Sequence, residues 1–350
     1  MSKTFAQKHN IAVIGGGSFG TAIANMVAEN GHLATIWLRS EERAQEINEQ
    51  HFNSAYLPDC QLSERVRAST DLAEAVKDCD LIFMAVPSSS SREVAKQLAP
   101  VIEDNALLIS TTKGIEADGF VLMSQVLQQE IPNVRLGVMS GPNLAKEIAD
   151  RQLAGTVIAS EDNELVEIVQ KALHTGYFRV YGGDDLYGVE LAGALKNIYA
   201  IMSGMAAAMN LGQNTIGLLL TRALAEMSRF AVNMGANPMT FIGLAGVGDL
   251  IVTCMSPLSR NYRVGHALGE GKNLQQIVDE LGQVAEGVNT LKIVKYKADE
   301  LDIYMPLVQG LYAVIHGGQS VAAVIDSMMS AEQKGDVAFA IANNESDAGL

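Results

Sequence analysis

Two lysines, one aspartate and a short run around an arginine carry the side chains best suited to proton transfer and anion binding. Lys113 follows Leu107-Leu-Ile-Ser-Thr-Thr, which places it at the carboxyl end of an expected strand, beside Gly114. Lys196 lies in the run ELAGALKN, 190–197, on an otherwise apolar expected helix. Burial disfavours an ammonium group and lowers its pKa toward neutrality, which suits a proton donor. A lysine on such a helix can also snorkel to the surface, and the helix alone leaves both readings open. Asp249 stands between the glycine-rich GLAGVG and the apolar LIV, where an idle carboxylate would be costly and a lysine partner would compensate. Ser259, Arg260 and Asn261 follow. The arginine fork and the asparagine amide suit a phosphate, while a helix cap with a surface arginine is the plainer alternative.

The elements that must position these residues begin with IAVIGGGSFG, 11–20. An apolar strand precedes this G-x-G-x-x-G pattern and the helical TAIANMVAEN follows it. In that setting Gly15 makes the tight turn, Gly17 admits a pyrophosphate to the backbone, and Gly20 lets the helix approach the strand. The helix N-terminus adds free N–H groups. Ser18 and Phe19 are expected in the loop itself, with the Ser18 hydroxyl as a further donor. The second strand delivers Arg39, not an acidic residue, to the adenosine ribose, and Arg43 stands one turn further on. A guanidinium there favours the 2′-phosphate of NADPH, while Glu41 and Glu42 leave room for NADH.

Short apolar runs alternate with helical patterns up to about Leu186, which implies βαβ units and a mostly parallel sheet. Strands are expected at Ile11–Ile14, Ala34–Leu38, Leu81–Val86, Leu107–Thr111, Leu136–Met139, Thr156–Ala159 and Phe178–Tyr181, with a helix at Phe120–Gln129 among others. Beyond that point the chain is rich in Ala, Leu, Met and Gly, with long helical runs. The expected fold is an α/β dinucleotide-binding domain of Rossmann-like form over 1–188 and an all-α substrate and catalytic domain over 189–330. A frayed tail is expected over 331–350.

At 350 residues and 48% hydrophobic content the chain can fill two cores. A formal charge of −15 argues against nucleic acid or anionic membrane as partners. Three cysteines without metal-ligand spacing read as reduced thiols in a cytoplasmic protein, and MSKTFAQKHN contains no apolar signal core. The uncharged stretch Ile198–Thr221 is long enough for a membrane span, but the polar turn at Asn210–Thr215 divides it into two buried helices.

Taken together, GGGSFGTA, AVPS, STTKGIE, SGPNLAKE, ELAGALKN, GLAGVGDLIVTC, SRN and VAEGVNT occur here in the order in which they recur in one family. The chain resembles the NAD(P)-dependent glycerol-3-phosphate dehydrogenases, in their bacterial form that serves phospholipid precursor synthesis. The resemblance implies reversible reduction of dihydroxyacetone phosphate to sn-glycerol 3-phosphate by NADPH or NADH, in a homodimer; an ammonium that stabilises the charge and supplies the proton requires no metal. It implies that Lys196 is the general acid and that Lys113 contacts both substrate and cofactor. Gly141 and Asn143 would meet substrate, although the family carries Ser or Thr at the second position. Asp249 would hold Lys196 or a substrate hydroxyl, and Ser259, Arg260 and Asn261 would take the phosphate. Ala145, Arg260, Val284 and Glu286 would complete the cofactor contacts begun by Gly15, Gly17, Ser18, Phe19, Gly20 and Arg39. Without the resemblance, Glu286 reads as a solvated helix start.

Two other readings compete. A related two-domain dehydrogenase for a carboxylated substrate would lack the STTKG and SRN blocks. A noncatalytic NAD(H) sensor would need no lysines facing Asp249.

Overall fold

Alternating strands and helices build the first half around a sheet whose two faces are apolar. In a computed structural model that describes residues 9–281 and 285–330, the strands are β1 (Asn10–Ile14), β2 (Leu33–Trp37), β3 (Val66–Ser69), β4 (Leu81–Met84), β5 (Leu107–Ser110), β6 (Ile115–Glu116), β7 (Val121–Leu122), β8 (Arg135–Ser140), β9 (Ala154–Ala159) and β10 (Phe178–Gly183). The helices among them are α1 (Ser18–Glu29), α2 (Glu41–Gln50), α3 (Leu72–Val76), α4 (Ser88–Leu98), α5 (Met123–Glu130), α6 (Ala145–Ala149) and α7 (Asn163–Leu173). The main sheet runs β10-β9-β8-β5-β4-β1-β2-β3. It is parallel except where β8 meets β9. Val138 and Met84 both pair along β5 with residues whose register aligns the carboxyl ends of β4, β5 and β8. Ile14 lies level with Met84 and Trp37, so β1 and β2 end on the same line. Ligands of such sheets bind along that edge.

Strand side chains alternate between faces. Ile11 and Val13 join α1, α2 and α7 in one core, while Ala12 and Ile14 join α3, α4 and α5 in another. Trp37, the one tryptophan of the chain, lies in the second core and donates to Thr70 O at 3.1 Å.

The second half consists of α8 (Leu186–Ala208), α9 (Gln213–Asn233), α10 (Asp249–Met255), α11 (Arg260–Gly269), α12 (Leu274–Leu281), α13 (Glu286–Glu300), α14 (Pro306–Ile315) and α15 (Val321–Ser330). Helix α8 is buried on nearly every side, as a central helix must be. Residues 209–212 separate α8 from α9, with Asn210 at φ 54°, so the uncharged stretch is two helices. Among the described residues no helix is long and apolar enough to cross a membrane.

Several local expectations need correction. Strand β2 ends at Trp37, and Leu38 already belongs to the turn. Phe120–Leu122 is not helical: β7 pairs antiparallel with β6 around Gly119 and Phe120, both at positive φ. The apolar residues of that hairpin, Ile115, Phe120 and Leu122, join the core of the helical half. The tail expected over 331–350 lies outside the described residues.

Candidate active site

The glycine loop owes its shape to close backbone contacts. Gly15 has φ 122°, and a Cβ there would lie 2.5 Å from Ala85 O. At Gly20 a Cβ would lie 2.1 Å from Gly15 O, so only glycine lets α1 start this near β1. Gly17 caps α1 without a side-chain acceptor, and the space where its Cβ would point is open. Ser18 and Phe19 form the first turn of α1 rather than the loop, because helical backbone begins directly after Gly17. The Ser18 hydroxyl donates to Tyr56 O at 3.1 Å. Buried Asn53 supports the loop from below, donating to Gly16 O at 3.1 Å and to Thr21 Oγ1 at 2.8 Å. Arg39 is exposed just past β2, and the Arg43 guanidinium lies 5.1 Å from the centre of the Tyr56 ring.

The two lysines converge on Asp249. Lys113, three residues past β5, donates to Asp249 Oδ2 at 2.7 Å and to Gly141 O at 3.1 Å. Lys196, on α8, donates to Asp249 Oδ1 and to Thr253 Oγ1. Asp249 is only 1% exposed and Lys196 5%. Asp249 and Thr253 are four apart on α10 and share one face of it. Burial drives the Lys196 pKa down to about 7; Asp249 opposes that shift and the Lys113 charge adds to it. Snorkelling is excluded, since the Lys196 ammonium ends on buried partners. In the same pocket, burial pushes the Cys254 thiol up to about 12, leaving it an inert neighbour.

Around this triad stand the other expected residues. Gly141 is buried, and a Cβ on it would come within 3.0 Å of Thr156 Cα. Asn143 donates to Thr156 Oγ1 at 2.9 Å, while its Oδ1 is buried without a partner in the structure. Ala145 opens α6 and packs against the same core as Phe19. Ser259 caps α11, accepting from Tyr262 N at 3.3 Å, and Arg260 is exposed at the first position of that helix. Asn261 Oδ1 accepts from Gly287 N at 2.9 Å, which leaves its amide N–H groups as the free donors. Glu286 does open a helix, but it is not a solvated residue there. Its carboxylate accepts from Ser88 N at 3.2 Å, at the start of α4, and burial raises its pKa. A Cβ on Gly114 would touch Ser88, so the segment of Lys113 meets the start of α4 where Glu286 also binds. Val284 lies outside the described residues. Among the described residues no three His, Cys, Asp or Glu side chains gather as a metal would require.

Sequence reasoning singled out the lysines and Asp249 but not Thr253, Asn53, Tyr56 or Ser88. The four-residue spacing from Asp249 could have revealed Thr253. The other three act through the backbone or from loops, where spacing carries no signal.

The family model for the N-terminus of NAD-dependent glycerol-3-phosphate dehydrogenase matches residues 10–166, and that for its C-terminus matches 185–326. A glycerol-3-phosphate dehydrogenase acting with NAD(P)+ from Teredinibacter turnerae is 55% identical over 327 residues, covering 93% of this chain and 96% of the relative. Its counterpart from Pseudomonas aeruginosa PAO1 is 56% identical over 333 residues, covering 95% and 98%. The crystal structure of glycerol-3-phosphate dehydrogenase from Coxiella burnetii superposes with a TM-score of 0.88 at 34% identity, covering 93% of this chain and 99% of that one.

Proposed function

The chain belongs to the family of NAD-dependent glycerol-3-phosphate dehydrogenases, and from that premise we propose how its own residues carry the reaction. The activity is the NAD(P)-dependent interconversion of dihydroxyacetone phosphate and sn-glycerol 3-phosphate. The observation that carries the residue-level reading is the buried carboxylate of Asp249 holding two ammonium groups.

The dinucleotide fits the residues present. The uncapped start of α1, with open space at Gly17, offers backbone N–H groups to a pyrophosphate. Gly15, Gly17, Ser18, Phe19 and Gly20 would hold that part, Arg39 the adenosine end, and Lys113, Ala145, Arg260, Val284 and Glu286 the remainder. When bound, the reduced nicotinamide supplies hydride to the substrate carbonyl carbon. Arg39 in place of a carboxylate supports a preference for NADPH, with NADH still used.

Ser259, Arg260 and Asn261, at the start of α11, bind the substrate phosphate through a guanidinium, an amide and the helix terminus. Gly141 and Asn143 line the substrate on the side of β8. Lys196 spends two of its N–H bonds on Asp249 and Thr253 and directs the third to the carbonyl oxygen. As negative charge grows on that oxygen, Lys196 stabilises it and transfers the proton; in the oxidative direction the neutral amine takes the proton back. Asp249 fixes the Lys196 head and keeps Lys113 at the opposite side of the pocket.

We further propose that the dinucleotide unit ends near residue 188, that the helical unit covers 189–330, and that the chain works in the cytoplasm as a homodimer feeding glycerophospholipid synthesis. An apolar cavity of about 660 Å³ between α8, α9, α14 and α15, with Leu218 and Met329 exposed at its edge, supports burial of that face between two copies. The reaction is tested by following oxidation of NADPH and NADH with dihydroxyacetone phosphate, glyceraldehyde 3-phosphate and unphosphorylated dihydroxyacetone. Rapid turnover of the first alone is expected. Equal rates with dihydroxyacetone would remove the phosphate site from the assignment.

A further inference from the structure

Helix α8 turns Glu190 and Gly193 toward the dinucleotide half and Lys196 toward α10. Glu190, Gly193 and Lys196 are spaced by three, so each neighbours the next along the helix. At Gly193 a Cβ would lie 2.5 Å from Ser140 Oγ and 3.5 Å from Lys113 Cγ, so the stem of Lys113 runs directly against the helix. One turn earlier, the Glu190 carboxylate accepts from Ser124 N at 2.8 Å and is bonded to the Ser124 hydroxyl. It also takes the N–H of Met123. Both Glu190 and Ser124 are buried. Ser124 is in the first turn of α5, where backbone N–H groups have no partner within the helix.

The chain between these two contacts is the β6–β7 hairpin. Arg92 binds Glu116 of the hairpin at 2.5 and 2.8 Å and Glu130 of α5 at 2.5 Å. The segment that carries Lys113 is therefore fixed at three points: on α8 through Gly193, on α4 through Arg92, and on α8 again through Glu190.

We propose that Glu190 is a positioning residue that clamps the Lys113 segment onto the helix bearing Lys196, and so sets the distance between the two ammonium groups across Asp249. This rests on the reading of Lys196 as the proton donor. The groups facing Lys196 are Asp249, Thr253 and Cys254 from α10 and Lys113 from the segment after β5. Glu190 itself faces Ser124 and, among titratable groups, Tyr187. If the clamp opens, Lys113 moves away and ceases to depress the Lys196 pKa.

The test is the pH dependence of kcat for dihydroxyacetone phosphate reduction by the full chain. In Glu190→Ala, kcat should fall by about ten-fold or more, as misplacement of a reacting group produces. Its alkaline limb should move up by about one pH unit, because a like charge has left the neighbourhood of Lys196. Glu190→Gln still accepts from Ser124 N and should recover most of kcat with the wild-type limb. If Glu190→Ala does not fold, Glu190→Asp, one methylene short of Ser124, serves under the same criteria. An unmoved limb, with loss confined to thermal stability, would overturn the clamp. Lys196→Ala is run alongside. Should that variant keep more than about a tenth of the rate, the proton-donor reading itself is lost; a Lys196→Ala that loses the rate as expected, beside an unmoved limb in Glu190→Ala, removes the clamp alone.

Discussion

At Asp249 one negative charge faces two ammonium groups, so the pocket keeps a surplus of positive charge inside an acidic protein. Burial lowers the Lys196 pKa to about 7, against the pull of Asp249, and the Lys113 charge adds to that lowering. In the role proposed for Lys196 the protonated form drives reduction; it is full below that pH and is lost as pH rises through it. The turnover of dihydroxyacetone phosphate should therefore fall above pH about 7, while glycerol 3-phosphate oxidation should rise over the same interval. Paired initial-rate profiles check this, and parallel profiles would contradict it. Lys196→Ala should lower turnover by about 10²–10⁴ with cofactor affinity nearly intact, the usual contribution of a general acid. At the adenosine end, Arg39→Ala should weaken NADPH by roughly ten-fold and leave NADH almost unchanged, because only the 2′-phosphate loses a charged partner. Equal losses for both cofactors in steady-state kinetics would deny Arg39 that role. Such residues were legible because a buried lysine or an arginine after a strand is unusual in itself. Asn53 and Tyr56 were not, since their roles arise only when residues 51–57 fold back under the glycine loop.

Helix α11 reaches the site because it crosses α8 at backbone contact. A Cβ at Gly204 would lie 2.0 Å from Tyr262 O, and one at Gly265 would lie 1.8 Å from Ile201 O. Gly265→Ala must push α11 outward and carry Ser259–Asn261 away from Lys196. A loss of about 1–3 kcal/mol in stability is expected, as for other overpacked contacts. The KM for dihydroxyacetone phosphate should rise with it. Calorimetry and kinetics check both, and an unchanged KM would show that the helix termini do not move. The long elements were readable from periodicity. Strand β3, with Arg67 in a four-residue run, gives too little pattern to read. The β6–β7 hairpin was hidden for another reason. Its apolar residues answer to the core of the helical half, which lies far along the chain.

Across the whole molecule the two halves are joined through α8 and through the hairpin of one inserted in the core of the other, and the chain carries a single indole. Trp37 stands at the end of β2, two residues before Arg39, and the helical half contains no tryptophan. Its fluorescence is therefore a private signal of the dinucleotide half, whereas far-ultraviolet circular dichroism is dominated by the helices. Followed against urea, the two signals should change together, because residues 115–122 cannot leave the helical core while the sheet stays folded. Separate midpoints would mean that the halves unfold independently. Titration with NADPH should perturb the same emission before any turnover begins, which gives the adenosine end of the site an optical readout that needs no substrate and no label.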